Sequence, residues 1–455
     1  MQDLTQGSIH GHIGKLAGFM LFGMLFQSLY FLVDLYFVAR VGSFAVAAVS
    51  LAGQLMMVTI GLTQALTVGT TTLVAHALGA KDPVRARFVF NQAQVLATLA
   101  GLAFVAVTFV LRDRFAASLA ADAATIQALL DYLDWYLPAM GVQFLLVAMS
   151  AALRGAGEVK APMLVGVLSV LLNTVLAPVL IAGWGTGVPL GVAGAGLASF
   201  IAIVVAAAML LLWVRKYHDV LQLDPPSWRP DFALWRRLLA IGLPAGGELI
   251  LIAVYSTVIY AIVRDFGADA QAGVGAGMRV MQACFIPVLA VAFSIAPIAA
   301  QSFGAQRFDR VRETFRAGLV WACGLMGVLM LVCHFVPEVL VAPFTRSPEA
   351  LAVGAGMLSI IAFNFIASGV VFVAGSIFQA LGNTLPSLLA SASRLLVFVV
   401  PAVFIARLPW FRLPHLWWLS VGTLLIQMAG SLWLLRREMR RKLPADEPDA
   451  APAPA

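Results

Sequence analysis

The stretch VGSFAVAAVSLAGQLM, residues 41–56, returns as FGADAQAGVGAGMRVM at residues 266–281. Gly42 meets Gly267, Ala45 meets Ala270, Val49 meets Val274 and Met56 meets Met281, all at an offset of 225 positions. The register continues without a gap through Gly79-Ala80 against Gly304-Ala305, then Arg85 and Arg87 against Arg310 and Arg312. It still holds at Gly157 against Gly382. Chance likeness between apolar segments would not keep glycines and arginines in step over such a length. The chain is a tandem duplication.

Working outward, composition places both copies in a bilayer. Of 455 residues, 61% are apolar and 11% charged, and the mean hydropathy is +0.94, outside the range of soluble domains. Apolar runs long enough to cross hydrocarbon fall at 16–38, 46–76, 88–111, 129–153, 161–183 and 189–214. A second set falls at 238–263, 270–302, 317–342, 351–380, 385–406 and 415–435. The expectation is an all-α polytopic membrane protein with twelve transmembrane helices in two six-helix repeats. Six spans bring a repeat back to its starting side, so the repeats are parallel, related by an axis along the membrane normal. A duplicated membrane unit is the plan of secondary transporters, in which two repeats rock about a site between them.

The expected organisation is an N-lobe at 1–215, a polar, proline-bearing cytoplasmic connection KYHDVLQLDPPSWRPDFALWRR at 216–237, and a C-lobe at 238–435. A basic and then disordered cytoplasmic tail follows at 436–455. Of the 29 Lys and Arg, Arg40, Arg112, Arg114, Arg264, Arg346, Arg407 and Arg412 lie on the side opposite the termini, Arg279 and Arg394 fall inside spans, and the remaining 20 lie on the terminal side. The positive-inside rule then puts both termini in the cytoplasm of an inner-membrane protein. The same basic rim accounts for the net charge of +7 through anionic headgroups, so nucleic acid is not an expected partner. No cleavable signal is expected, since the first apolar run is too long. Cys284, Cys323 and Cys333 lie in spans without metal-type spacing and read as small packing residues. His10, His12, His76 and His334 sit near span ends and read as solvated.

A carboxylate within a span costs ~2.5–3.5 kcal/mol on insertion scales, which makes it a functional candidate by default. Two stand out. Asp34 lies in QSLYFLVDLYFVARVG (27–42), with Tyr30 as the polar neighbour one turn earlier, about 28 Å from Lys15 at the helical rise. Glu248 lies in GLPAGGELILIAVYS (242–256), about 15 Å into its span. Pro244 and the Gly246-Gly247 pair loosen that helix just before it. An apolar site raises a carboxyl pKa, so each group could bind and release a proton near neutral pH. Each could equally pair permanently with a polar neighbour, Arg279 being a partner within reach of Glu248. Asn173 in VLLNTVLAPVLI (170–181), followed by Pro178, and Ser199 in GVAGAGLASF (191–200) are weaker signals of the kind that also serve helix packing. Arg394 is a further intramembrane charge with no partner near it in sequence. No Walker motif, nucleophile elbow, Cys/His metal set or paired catalytic carboxylates occur, so no enzyme activity, metal or cofactor is expected, and transport would draw on an ion gradient.

At these residues the chain resembles the multidrug and toxic compound extrusion (MATE) family. The opening GSIHGHIGKLAGFMLFGMLFQSLYFLVDLYFVARVG (7–42) looks like that family's first-helix pattern. ALRGAGEVKAPM (152–163) and FQALGNTLPSLL (378–389) resemble its paired turns after the fourth and tenth helices. The resemblance implies a two-lobed antiporter that exports organic, often cationic and aromatic compounds against protons or sodium, working as a monomer. It implies that Asp34 is the N-lobe coupling acid, with Tyr30, Asn173 and Ser199 as its hydrogen-bonding surroundings, and that Glu248 is the acidic position of the seventh helix in the C-lobe. Pro178 and Pro244 are the expected helix hinges. Two departures matter. Ala177 stands where some members carry Asp before the proline of the fifth helix, and Ala367, with Asn364 nearby, stands where others carry Asp on the tenth. A hard cation wants several oxygen ligands, so their loss favours H+ over Na+ as the coupling ion. Two other readings share the architecture. A major facilitator transporter would carry a characteristic loop that GAKDPVRAR (79–87) fits poorly, and a lipid-linked oligosaccharide flippase of the same superfamily would carry more helices and a more basic cavity.

Overall fold

A computed structural model describes residues 3–185 and 187–443, with the side chains of residues 29–35 outside that description. Among the described residues the chain is helical throughout, without strands. The first half forms α1 (Ile9–Ala39), α2 (Ser43–Gly79), α3 (Pro83–Leu119), α4 (Ala123–Gly155), α5 (Lys160–Ile181) and α6 (Gly191–Tyr217). The second forms α7 (Phe232–Val263), α8 (Ala268–Gly304), α9 (Phe308–Phe335), the short α10 (Pro337–Val341), α11 (Pro348–Ile361), α12 (Asn364–Ala380), α13 (Leu385–Ile405) and α14 (Leu413–Lys442). Eleven helices are long and apolar enough to cross a membrane, and α11 with α12, bent by 55° at their junction, make a twelfth crossing. Helix surfaces are inverted relative to a soluble protein: α3 buries Ala93, Ala97 and Gly101 and exposes Leu102, Val107 and Val110. Small residues let helices approach closely, while large apolar ones face the lipid.

The duplication is written into the backbone. The bounds of α2 and α8 differ by 225 at both ends, as do those of α4 and of α11 with α12 taken together. Left-handed residues recur at the same offset: Lys81 (φ 57°) and Gln306 (φ 58°), Gly157 (φ 75°) and Gly382 (φ 68°). Each closes a helix in a Schellman turn. The Asp82 N–H bonds the Ala77 carbonyl at 2.9 Å and the Arg307 N–H bonds that of Ser302 at 2.9 Å. Glu158 to Leu153 (2.8 Å) and Asn383 to Phe378 (3.0 Å) repeat the pattern. These bonds satisfy carbonyls that the helix end would otherwise orphan.

The chain divides into two compact units. One comprises Gly14–Leu249 with the first six residues, the other Ile250 onward with Gly7–Ile13. The division thus falls inside α7 rather than in the 216–237 connection, and Glu248, expected in the second lobe, groups with the first unit. The reason is local. Gly61, Ala65 and Gly69 on α2 face Leu238, Gly242 and Gly246 on α7 with backbones nearly touching. A Cβ at Gly242 would sit 1.8 Å from the Ala65 carbonyl oxygen, and one at Gly246 2.6 Å from that of Gly61. This spacing of small residues every fourth position is the close-packing seam of membrane helices.

The connection itself is not a loose linker. Two buried amides of α3 clamp it. Asn91 Nδ2 donates to the Gln222 carbonyl (2.8 Å), and its Oδ1 accepts from the Asp224 N–H (2.8 Å) and Trp228 Nε1 (3.0 Å). Gln92 Nε2 donates to the carbonyls of Ser227 and Arg229 (2.7 Å each), and its Oε1 accepts from the Asp231 N–H (3.0 Å) and Trp235 Nε1 (2.8 Å). Residues 436–442, expected as part of a tail, form the last turns of α14. Glu438 there accepts from Asn383 Nδ2 (2.9 Å), and Lys442 Nζ donates to the Leu381 carbonyl (2.7 Å). Residues 444–455 lie outside the description.

The bend between α11 and α12 corrects the expectation of one helix over 351–380, and α9 supplies its cause. His334 Nδ1 lies 2.9 Å from the Ser359 carbonyl oxygen, so that nitrogen carries the hydrogen. The Phe363 N–H, which would bond Ser359 in a regular helix, turns to the Ile360 carbonyl at 3.2 Å. A side chain inserted into the ladder breaks the helix there. His334, read from sequence as solvated, is half-buried between the rings of Phe335 and Phe363 at 5.1 Å. Its repeat counterpart for the break, Pro138, sits inside a single α4.

Two outcomes are expected. Gly242→Ala lowers the melting temperature of the purified protein, by overpacking worth about 1–3 kcal/mol, although alanine is the better helix former. Gly53→Ala on α2, where a Cβ meets nothing within 4 Å, leaves it unchanged or raises it. Asn91→Ala speeds amide hydrogen exchange at Asp224, and Gln92→Ala speeds it at Asp231. Unchanged exchange at both would show that the amides do not hold the connection.

Candidate functional site

In the first unit, α5 and α6 carry Asn173 and Ser199, both fully buried. Asn173 Nδ2 donates to Ser199 Oγ at 3.4 Å, whereas Asn173 Oδ1 is buried with no hydrogen-bond partner. Such an acceptor costs about 1–3 kcal/mol if left unmet. Ala177, one turn on, is fully buried as well, so a methyl group occupies the position where a carboxylate would add oxygens. Pro178 follows inside α5 and brings no N–H for the Thr174 carbonyl. Val38, one turn past Asp34 in the sequence, belongs to the same core cluster as Ala177 and Ile181. The side chains of Tyr30 and Asp34 lie outside the described residues. Glu248 is half-buried on α7, one turn after Pro244, a proline inside the helix.

The second unit holds a polar cluster that the sequence only hinted at. Asn364, the first residue of α12 and 4% exposed, donates from Nδ2 to Ser420 Oγ on α14 at 3.1 Å. Ser420 Oγ lies 2.7 Å from the Tyr255 hydroxyl on α7. The Arg394 guanidinium of α13 stands over the Tyr255 ring, 4.9 Å from its centroid. Ala367, where a tenth-helix carboxylate was missed, is buried. The structure therefore brings Asn364 together with Tyr255, Ser420 and Arg394, and Asn173 together with Ser199, as one group in each unit. Sequence reasoning overlooked Tyr255, Ser420 and Gln427. The available signal was Arg394 itself, a charge in a span needing polar neighbours on other helices.

A cavity of about 180 Å³ opens at the α2–α3 turn, lined by His76, Asp82, Arg85 and Arg237 among others. None of the residues singled out above lines it. Among the described residues no group of three His, Cys, Asp or Glu could hold a metal ion.

Among the described residues, eleven helices and one bent pair in two matched sets, with a buried polar cluster in each unit, define a polytopic membrane protein built on the plan of a secondary transporter. The MatE family model matches residues 20–179 and 244–405, one block in each repeat. The chain belongs to that family, the multidrug and toxic compound extrusion transporters. It is similar to a probable multidrug resistance protein, YoeA, of Bacillus subtilis, with 26% identity over 85% of this chain and 84% of that one. It is also similar to the multidrug export protein MepA of Staphylococcus aureus, with 25% identity over 92% of each. Its fold is that of an outward-facing multidrug resistance MATE family transporter of the MOP superfamily, with a TM-score of 0.88, 21% identity, and 97% of this chain and 98% of that one covered.

Proposed function

We propose that this protein exports organic compounds, cationic and aromatic ones among them, in exchange for protons, by alternating access. Family membership and the names of the relatives, a multidrug resistance protein and a multidrug export protein, support export of foreign compounds. Coupling to protons rests on the first unit's buried amide: Asn173 Oδ1 is one unmet acceptor beside Ser199 and the methyl of Ala177. Sodium asks for a shell of several oxygens, and among the described residues that surrounding supplies few. A single acid, Asp34, needs only one proton to change charge state. Protonation in the outward-facing state neutralises it and releases the cargo, and deprotonation toward the cytoplasm prepares it to load again. Glu248 is a second group that takes part in this cycle. Cargo of varied shape suits the soft, adaptable surfaces that Met and Phe provide.

On this reading the protein is a monomer in the cytoplasmic membrane with both termini in the cytoplasm, as the excess of Lys and Arg on the terminal side supports. The lipid bilayer is its surroundings and small organic compounds its ligands.

Reconstituted in liposomes, the wild type is expected to accumulate ethidium under an imposed pH gradient at uniform sodium. Asp34→Asn should lose this accumulation, with protein level unchanged. Glu248→Gln under the same gradient measures that residue's share. Accumulation driven by a sodium gradient at uniform pH, and absent under a pH gradient, would overturn proton coupling.

A further inference from the structure

The cation inside the second unit has no anion. Arg394 is the tenth residue of α13, midway along a 21-residue helix. Its Nη1 reaches Gln427 Oε1 only at 3.5 Å, its Nε is buried without any partner, and no carboxylate pairs with it among the described residues. A guanidinium offers five donors in a planar fork and stays charged. Held in a membrane span with most of that fork unused, it is costly, and such groups mark functional sites.

The surroundings form a built site rather than a place for snorkelling. Gln427 is 6% exposed and is itself fixed by Nε2 donating to Ser391 Oγ at 3.0 Å. Tyr255 lies under the guanidinium and packs at a tilt of 49° on the fully buried Phe398, 4.6 Å between ring centroids. Its hydroxyl continues through Ser420, 1% exposed, to Asn364, 4% exposed. Asn364 Oδ1 is a second orphan: a buried acceptor with no donor. Arg394, Tyr255 and Ser391 are half-buried, whereas Gln427, Ser420 and Asn364 are buried. One end of the site thus lacks an anion, the other lacks a hydrogen-bond donor, and an aromatic ring lies between them.

We infer that Arg394, Tyr255 and Asn364 form an anion-recognising subsite that takes the carboxylate of an amphoteric aromatic compound. The guanidinium fork pairs with the carboxylate in a bidentate contact. The Tyr255 ring packs against the flat part of the ligand, and Asn364 Oδ1 accepts from an N–H or O–H. This extends the cargo range beyond pure cations, and it rests on the export reading above.

The test compares rhodamine 110, which carries a free carboxylate, with its methyl ester rhodamine 123, a cation on the same ring system. Binding to purified full-length protein in nanodiscs is followed by fluorescence anisotropy, in chloride and in gluconate at equal ionic strength. The wild type should bind both dyes. Arg394→Gln should weaken rhodamine 110 by about tenfold or more and leave rhodamine 123 unchanged. Asn364→Leu should weaken rhodamine 110 as well, and Arg394→Lys should restore only part of its affinity, because an ammonium keeps the charge without the fork. If Arg394→Gln leaves the ratio of the two affinities unchanged, or if the wild type binds rhodamine 123 alone, the subsite is refuted while the export reading stands. If neither dye binds the wild type, both fall. Chloride that weakens binding of rhodamine 110 as a competitor would assign the guanidinium to an inorganic anion and overturn the carboxylate assignment. An unchanged melting temperature shows that each variant is folded, and any variant that fails this is replaced by Tyr255→Phe, which keeps the ring, cuts the link to Ser420 and should also weaken rhodamine 110.

Discussion

Hydrocarbon offers no hydrogen bonds, so every backbone N–H and carbonyl within the membrane must find its partner inside the protein. Helices meet that demand along their length, and the difficulty moves to their ends, their breaks and the polar side chains they carry. In this chain each of those places has a visible solution. The helix ends at Lys81, Gly157, Gln306 and Gly382 close on themselves through Schellman turns. The break between α11 and α12 exists because His334 takes a carbonyl from the ladder. The connection between repeats is held by the polar atoms of Asn91 and Gln92 as well as by bonds of its own.

Against that background, the few unmet polar atoms carry information. Among the described residues the buried side-chain atoms without partners are Thr70 Oγ1, both polar atoms of Gln94 and Asn173 Oδ1 in the first unit, and Asn364 Oδ1 with Arg394 Nε in the second. The two units differ in the sign of what they lack. The first places the Asn173 acceptor beside Ser199 and Ala177, while the second holds a cation with no carboxylate beside it among the described residues. The backbone duplicates faithfully, and the chemistry has diverged between the copies.

Packing shows the same division between a conserved frame and local invention. Thr71 on α2 donates to the Ala151 carbonyl on α4 at 3.0 Å. In the second repeat the bond runs the other way, from Ser376, the counterpart of Ala151, to the Ala292 carbonyl on α8 at 2.7 Å. The same pair of helices is tied in both halves with the donor exchanged. The α2–α7 seam is made almost wholly of small residues, and it draws the first half of α7 into the first unit. A chain divided by composition would be cut in its polar connection. Its contacts divide it in the middle of a helix.

Hydropathy and an offset of 225 were enough to count the spans and pair them, because a membrane helix must be long and apolar wherever it lies and a duplicated gene preserves spacing. The same sequence marked Asn173, Ser199, Asn364 and Arg394 as polar groups in apolar company, since such residues are rare in spans. It did not reveal which of them meet. Tyr255 lies more than a hundred positions before Arg394 and Ser420, and the approach of the three depends on how α7, α13 and α14 rotate and cross. The bend at Phe363 was equally hidden, since no proline or glycine announces it and its cause lies on another helix. Span number, repeat and candidate polar residues were therefore set by local composition. The partners, the helix break and the place where the chain divides were decided by tertiary packing, where side chains distant in sequence compete for the same hydrogen bonds.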